Sequence, residues 1–179
     1  HPHDNMEIVS IVLRGKLQHR DNLGNGDVLK PGDVQKMTAG SGIIHSEFNP
    51  SDKEPVHFLQ IWIIPNMLDL RPSYEQKAFN RKSMTNRLTL LVSPDGHNGS
   101  LEIHQDAEIW QILLEENKDT EFAINHSRKI WIQIAEGSVS TNEHLLVAGD
   151  GLAVSDEEDI IRLRGIDKLS NIIIFNLRA

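Results

Sequence analysis

Apolar and polar residues alternate along most of this chain, which is the pattern of half-buried β-strands. The strands predicted from this alternation cover residues 7–17, 57–64, 88–92, 101–104, 109–114, 130–136, 160–164 and 171–177. Clusters of Gly, Pro, Asp and Asn separate the strands at short intervals. A helical turn is compatible with residues 72–80 and 115–119. Many short strands at this spacing predict an all-β sandwich or barrel.

A weak internal repeat divides the chain into two similar β units. A strand, Gly15, a polar turn and KPGDV at residues 30–34 recur as a strand, Gly137, a polar turn and VAGDG at residues 147–151. Each copy therefore has a hairpin glycine followed by a tight Gly-Asp turn. We expect two domains, an N-terminal domain at residues 1–83 and a C-terminal domain at residues 84–179.

Composition and charge argue against several classes of partner. The 179 residues include 18 Lys and Arg against 26 Asp and Glu, a formal net charge of −8. A phosphate-binding surface needs the opposite sign, so we expect no direct nucleic-acid partner. The chain has no cysteine, which excludes disulfides and thiolate ligands and is consistent with a reducing compartment. Neither a membrane-spanning apolar stretch nor a secretion signal is recognisable, and we expect a cytoplasmic monomer without a membrane partner.

Two pairs of potential metal ligands have the spacing of strand residues that share a face. His1 and His3 are two residues apart, and so are His45 and Glu47. If both strands face one interior, three neutral imidazoles and one carboxylate converge. That donor set suits a divalent first-row transition metal. The alternative is two surface loops whose histidines face solvent.

Two longer segments resemble a known family. They are HPHDNMEIVSIVLRG at residues 1–15 and KPGDVQKMTAGSGIIHSEFN at residues 30–49. The chain is similar to the pirin family of the cupin superfamily, and in particular to bacterial pirin-like proteins with quercetin 2,3-dioxygenase activity. The positions that match the two cupin motifs are His1, His3, Glu7, Gly15, Gly42, His45 and Asn49.

This resemblance implies a bicupin, in which two antiparallel β-barrel (jelly-roll) domains face each other and only the N-terminal domain binds metal. Pirins have further residues before the His-x-His motif, so we expect the first domain to be incomplete at its N-terminus. The resemblance implies that the metal ligands are His1, His3, His45 and Glu47. The C-terminal domain is expected to be metal-free, because the positions equivalent to motif residues are Ala123, Asn125, Lys129 and Arg162.

The resemblance also implies an activity. One divalent metal, with Fe(II) favoured and Mn, Ni, Co, Cu or Zn as alternatives, would assist the cleavage of a small aromatic flavonol such as quercetin by O2. Glu47 is the candidate base for the substrate hydroxyl, and no substrate-binding residue is assigned. The alternative is a non-catalytic, metal-binding regulatory protein that interacts with a protein partner, the role described for eukaryotic pirins.

The remaining polar and aromatic residues receive structural interpretations. Glu7 is interpreted as a polar strand residue that lines the pocket, and His104 as structural. The three tryptophans, Trp62, Trp110 and Trp131, are expected in the apolar core. Solvated or singly hydrogen-bonded positions are expected for His19, His57, His97, His126 and His144, and a solvated acidic turn is expected at residues 156–159.

Overall fold

The computed structural model describes residues 1–125, 127–141, 144–154 and 159–179. His126 and most of the acidic turn, residues 156–158, lie outside the described residues. Antiparallel β-sheets dominate the described part, together with short 3-10 helices at Arg81–Met84 and His97–Gly99. The all-β prediction is therefore confirmed. No helix in these ranges is long and apolar enough to cross a membrane.

The strands before residue 80 are short and closely spaced. They are β1 (Pro2–His3), β2 (Glu7–Arg14), β3 (Leu17–Asp21), β4 (Gly26–Leu29), β5 (Asp33–Thr38), β6 (Ile43–Phe48), β7 (His57–Ile63) and β8 (Ser73–Ala78). The strands after residue 80 are β9 (Thr89–Ser93), β10 (Leu101–Glu102), β11 (Ala107–Glu115), β12 (Asp119–Ala123), β13 (Arg128–Glu136), β14 (Ser138–Ser140), β15 (Leu145–Val147), β16 (Gly151–Val154), β17 (Ile160–Gly165) and β18 (Leu169–Arg178).

The chain divides into two compact units. The first contains His1–Asn80, Pro94–Gly96 and Leu101–Gln105. The second contains Arg81–Ser93, His97–Ser100 and Asp106–Ala179. The boundary predicted from the sequence lies between residues 83 and 84.

The first unit consists of two antiparallel four-stranded sheets. Their strand orders are β1-β6-β3-β4 and β7-β2-β5-β8. Ile8 of β2, Met37 of β5 and Ile43 of β6 belong to one fully buried apolar cluster, so the inner faces of the two sheets pack against each other. The polar residues of the candidate site lie on these same inner faces.

The second unit has a different interior. Its sheets have the orders β9-β11-β18-β13-β16 and β12-β17-β14-β15. Their inner faces bury an apolar cluster, which therefore excludes water from this interior. Its buried members are Ile112, Leu114, Phe122, Ile130, Ile132, Ile134, Val139, Leu146, Ile161, Leu163, Ile172 and Ile174.

The two repeat glycines have equivalent roles in the two units. Gly15 has a φ of +75° and Gly137 has a φ of +77°, in the left-handed region that disfavours other residues. A Cβ atom at Gly15 would collide with the carbonyl oxygen of Pro55, and one at Gly137 would lie 2.7 Å from the carbonyl oxygen of Leu169. Both glycines therefore permit a close backbone approach at a strand end, as the repeat predicts.

Some local predictions are wrong. Residues 73–78 form strand β8, because this segment pairs with β5 along its length, and the expected helical turn is absent there. Residues 33–38 and 43–48 form strands β5 and β6, which the alternation pattern missed. Both carry polar residues on their inner face, so the hydrophobic period that reveals a strand is interrupted there.

Candidate metal centre

Strand pairing brings the first two histidines next to the third. Strand β1 runs antiparallel to β6, with His3 opposite Ile43. The amide nitrogen of His45 donates to the carbonyl oxygen of His1 at 3.1 Å. Because residues two apart on a strand share a face, this register places His1, His3 and His45 on one side of the sheet.

The three imidazole rings form a compact group. Their centroids are separated by 4.7 Å (His1 and His3), 4.5 Å (His1 and His45) and 4.9 Å (His3 and His45). The Nε2 atoms of His1 and His45 are 3.0 Å apart, close to the roughly 3 Å expected for adjacent ligands on one ion with metal–nitrogen bonds of about 2.1 Å. His45 is buried and His1 is exposed, so solvent reaches one side of the group.

Glu47 joins this group through His45. The ligand atoms of His1, His3 and His45 lie within 4.8 Å of one another, and those of His19, His45 and Glu47 form a second such set. The structure thus brings together three members of the predicted ligand set directly. Its fourth member, Glu47, lies beside His45 and His19 and is not within that distance of the whole first set.

Neutral donors from the facing sheet hold the Glu47 carboxylate. Its Oε1 atom accepts hydrogen bonds from Gln35 Nε2 at 2.9 Å and Ser10 Oγ at 3.3 Å. Its Oε2 atom accepts a hydrogen bond from Gln60 Nε2. Three donors on two oxygens restrict the carboxylate to one orientation.

These three donors form a polar row across the sheet β7-β2-β5. Ser10 is the register partner of both Gln35 and Gln60, so the three side chains point to the same face. None was predicted as a site residue. A signal was nevertheless available, because Ser10 and Gln60 are isolated polar residues in otherwise apolar strands.

His19 is a further site residue that the sequence interpretation missed. It is completely buried, so the expectation of a solvated position is wrong, whereas the other expectation, a single hydrogen bond, is met. Its Nε2 atom is hydrogen-bonded to Asp21 Oδ2 at 3.0 Å, and its Nδ1 atom lies 4.0 Å from Glu47 Oε1. Its ring stacks on Tyr74, with centroids 4.7 Å apart. Strand β3 explains the position, because His19 and Glu47 are register partners on β3 and β6.

The charges around His19 shift two pKa values. Burial disfavours the ionised Asp21, but hydrogen bonds from His19 and Asn25 outweigh this effect and lower the pKa of Asp21. Burial, assisted by carboxylates including Asp27 and Asp21, raises the pKa of the Tyr74 phenol. Tyr74 is therefore a neutral ring against His19, and its hydroxyl donates to Gln76 at 2.8 Å.

Several buried polar atoms at this site have no protein hydrogen-bond partner. They include His3 Nε2, His45 Nδ1 and His19 Nδ1. Buried polar groups normally find a partner, and imidazole nitrogens without one are suited to hold a cation. Three imidazoles beside a carboxylate are also a donor set for a first-row transition metal. The residues present therefore fit the divalent metal that the sequence predicts.

The environment of His45 favours its neutral, metal-binding form. Burial, with further contributions from His3 and His19, lowers its pKa from 6.5 to about 4. Metal ligation requires an unprotonated nitrogen, so this histidine is ready to bind metal over a wide range of pH.

The lowered pKa predicts how stability depends on pH in the metal-free protein. Between pH 6.5 and about 4 the unfolded chain binds a proton at His45 that the folded chain does not. We therefore expect the free energy of unfolding to fall as pH falls through this window. Urea unfolding at about pH 7 and about pH 5 measures the loss. His45→Gln should lose less stability over the same interval, and an equal loss in both proteins would contradict the prediction.

Two of the three tryptophans are not core residues. Trp62 is 56% exposed and Trp131 is 41% exposed, so the prediction is wrong for both, whereas Trp110 packs against the apolar cluster of the second unit. Trp62 lies edge-to-face with His3, with centroids 5.1 Å apart. It therefore borders the candidate metal centre on the side that solvent reaches.

Glu7 lies on the opposite face of β2 from Ser10, so it does not line the pocket and that interpretation is wrong. Its carboxylate accepts a hydrogen bond from Thr38 Oγ1 at 3.1 Å and lies 4.0 Å from Lys36 Nζ. His104 Nδ1 is 3.5 Å from Glu7 Oε1. The buried Glu7 and the half-buried His104 thus belong to a separate polar cluster. The remaining described histidines, His57, His97 and His144, are exposed.

Comparison with known proteins identifies the family. Residues 1–63 match the family model "Pirin", and residues 90–177 match "Quercetinase C-terminal cupin domain". A curated Escherichia coli protein named quercetin 2,3-dioxygenase is 39% identical over 177 residues, covering 99% of this chain and 74% of its own length.

Solved structures agree with this result. The crystal structure of YhhW from Escherichia coli matches with a TM-score of 0.91 and 38% identity, over 99% of this chain and 74% of that one. A crystal structure of the same bacterial pirin in complex with nickel(II) matches with a TM-score of 0.90 and 38% identity, over 99% and 75% of the two chains. The fold defines a protein of the cupin class, and the candidate site has the donor groups of a metal centre. Within that class, this chain belongs to the pirin family.

Proposed function

We propose that this protein is a metal-dependent dioxygenase that cleaves a flavonol such as quercetin with O2. The observation that carries the proposal is the convergence of His1, His3 and His45 beside the oriented carboxylate of Glu47. The name of the Escherichia coli relative, quercetin 2,3-dioxygenase, and the nickel(II) complex of a homologous pirin support it.

The three imidazoles would hold the metal through ring nitrogens, and Glu47 would complete the set through a carboxylate oxygen. We propose Fe(II) as the resident ion. Mn, Ni, Co, Cu and Zn are alternatives, because this donor set accepts all of these metals. When bound, the ion supplies the Lewis-acid and redox chemistry that a reaction with O2 requires. Elemental analysis of protein purified without added metal identifies the ion.

The protein's own contribution is proton transfer and positioning. Glu47 would accept the proton of the flavonol hydroxyl at a carboxylate oxygen, as a general base. Ser10 and Gln35 hold one oxygen of this carboxylate, and Gln60 holds the other, before the substrate arrives, which reduces the cost of reaching the reactive geometry. The apolar cluster that includes Ile8 lies behind the site and keeps water away from its inner side.

Aerobic incubation with quercetin tests the proposal. We expect protein loaded with Fe(II), Mn(II) or Ni(II) to consume flavonol and O2 in equal amounts, with both atoms of ¹⁸O2 found in the products. Metal-free protein and the free ions at the same concentration are the controls. Tight metal binding without flavonol consumption would contradict the enzymatic role and favour a regulatory one.

A further inference from the structure

Strand β7 places a glutamine and a tryptophan in one line that leads to Glu47. Gln60 is the register partner of Ser10, and Trp62 is the register partner of Ile8. Ile8 is buried in the inner apolar cluster and Ser10 is bonded to Glu47. Both β7 side chains therefore lie on the inner face of the sheet, with Trp62 at its open end.

The indole group of Trp62 determines how the amide of Gln60 is oriented. Trp62 Nε1 donates to Gln60 Oε1 at 3.2 Å. An indole N–H can only donate, so the amide oxygen of Gln60 must face Trp62 and its NH2 group must face Glu47. If the amide flipped, its oxygen would face the Glu47 carboxylate and repel it. Trp62 thus keeps the NH2 group of Gln60 directed at the Glu47 carboxylate.

The face of the same indole is available to a ligand. Trp62 is 56% exposed, and its contact with the His3 ring is edge-to-face, with an angle of 78° between the two planes. An edge-to-face contact covers at most one of the two indole faces, and with more than half of the residue exposed, ring surface remains open beside the candidate metal centre. Offset stacking on such a face is favourable for a planar aromatic ligand.

We propose that Trp62 is the platform on which a planar aromatic hydroxyl compound stacks at the metal centre, and that through Gln60 it also positions Glu47. The class of ligand is a fused or conjugated polyphenol with an ionisable hydroxyl group. The catalytic consequence rests on the proposed function, whereas the binding consequence does not require turnover.

Substitutions at Trp62 separate the two roles. Trp62→Phe keeps an aromatic face but removes the N–H donor, so we expect kcat to fall about tenfold while KM changes less than about twofold. Trp62→Leu removes both, so we expect the same loss of kcat and a rise in KM of about fivefold. Gln60→Leu should reproduce the effect of Trp62→Phe, and the double variant should be no worse than either single one.

The chain provides a matched control in its second unit. Trp131 Nε1 donates to Gln133 Oε1 at 3.4 Å, the same indole-to-glutamine contact across two positions of a strand. Trp131→Phe and Trp131→Leu should leave kcat and KM unchanged. A KM for Trp62→Leu no higher than that for Trp131→Leu would refute the platform. A native kcat in Trp62→Phe, with a lowered one in Gln60→Leu, would refute the positioning role.

Two measurements without turnover distinguish this inference from the proposed function. Anaerobic calorimetry with quercetin gives the dissociation constant of each variant, and the visible spectrum of Co(II)-loaded protein reports the position of Glu47. Quercetin binding that weakens about fivefold in Trp62→Leu, without any turnover by native protein, would support the platform and contradict the dioxygenase. A native protein that binds no planar polyphenol would overturn the platform. Unchanged Co(II) spectra in Trp62→Phe and Gln60→Leu would overturn the positioning role.

Discussion

His45→Ala is expected to lower the affinity for a divalent transition metal by more than about 100-fold. Loss of a residue that only supports a ligand already costs 10- to 100-fold, and His45 is central because both sets of potential ligands share it. It is also buried and kept neutral by its surroundings. Competition with a chromophoric chelator measures the affinity, and elemental analysis measures the metal retained.

His57→Ala is the matched control for this substitution. His57 is an exposed histidine of β7 in the same unit. Its removal shows whether the loss of any histidine lowers metal affinity, or only the loss of a histidine at the candidate site. We expect the affinity of this variant to equal that of native protein. Metal binding by His45→Ala within about tenfold of the native value would contradict the assigned centre.

Glu47→Gln is expected to reduce flavonol turnover by about 10² to 10⁴-fold, the usual contribution of a general base. The amide also replaces one acceptor oxygen with a donor. Three donors, from Ser10, Gln35 and Gln60, point at this group, so the new NH2 group must face at least one of them. Steady-state kinetics with quercetin under air measures the effect.

Two further variants test whether the effect depends on the charge and position of the Glu47 carboxylate. Glu47→Asp retains the charge, but its side chain is one methylene shorter and the carboxylate lies further from the substrate. We therefore expect a turnover rate between the rates of native protein and Glu47→Gln. Glu102→Gln removes an exposed carboxylate of β10 and should leave turnover unchanged. Turnover by Glu47→Gln above about one tenth of the native rate would exclude Glu47 as the base.

The amount of site information in the sequence differed from residue to residue. His1, His3, His45 and Glu47 were recognisable because a spacing of two on a strand is a local property, and because the motifs resemble those of pirins. His19 was not recognisable, since nothing in its own strand indicates that β3 pairs with β6 and places it against Glu47. Its burial results from contacts between residues distant in sequence.

The roles of Gln60 and Trp62 were also not recognisable from the sequence. Gln60 and Trp62 occur in an apolar strand, where period-two alternation identifies the strand but not which face is inside. Register with β2 decides this, and places Gln60 beside Ser10 and Trp62 beside Ile8. The tryptophan then lies at the open end of the inner face, where its ring is exposed although its neighbours in sequence are apolar.

The sequence alone determined the all-β class, the repeated glycine turns and the two pairs of candidate ligands. All of these depend on interactions between residues close along the chain. Only the tertiary structure decided that His19, Gln35 and Gln60 surround Glu47, that Glu7 faces away from it, and that Trp62 borders the candidate metal centre. Those facts depend on which strands pair and in which register, and strand pairing is set by the burial of the whole sheet rather than by any local pattern.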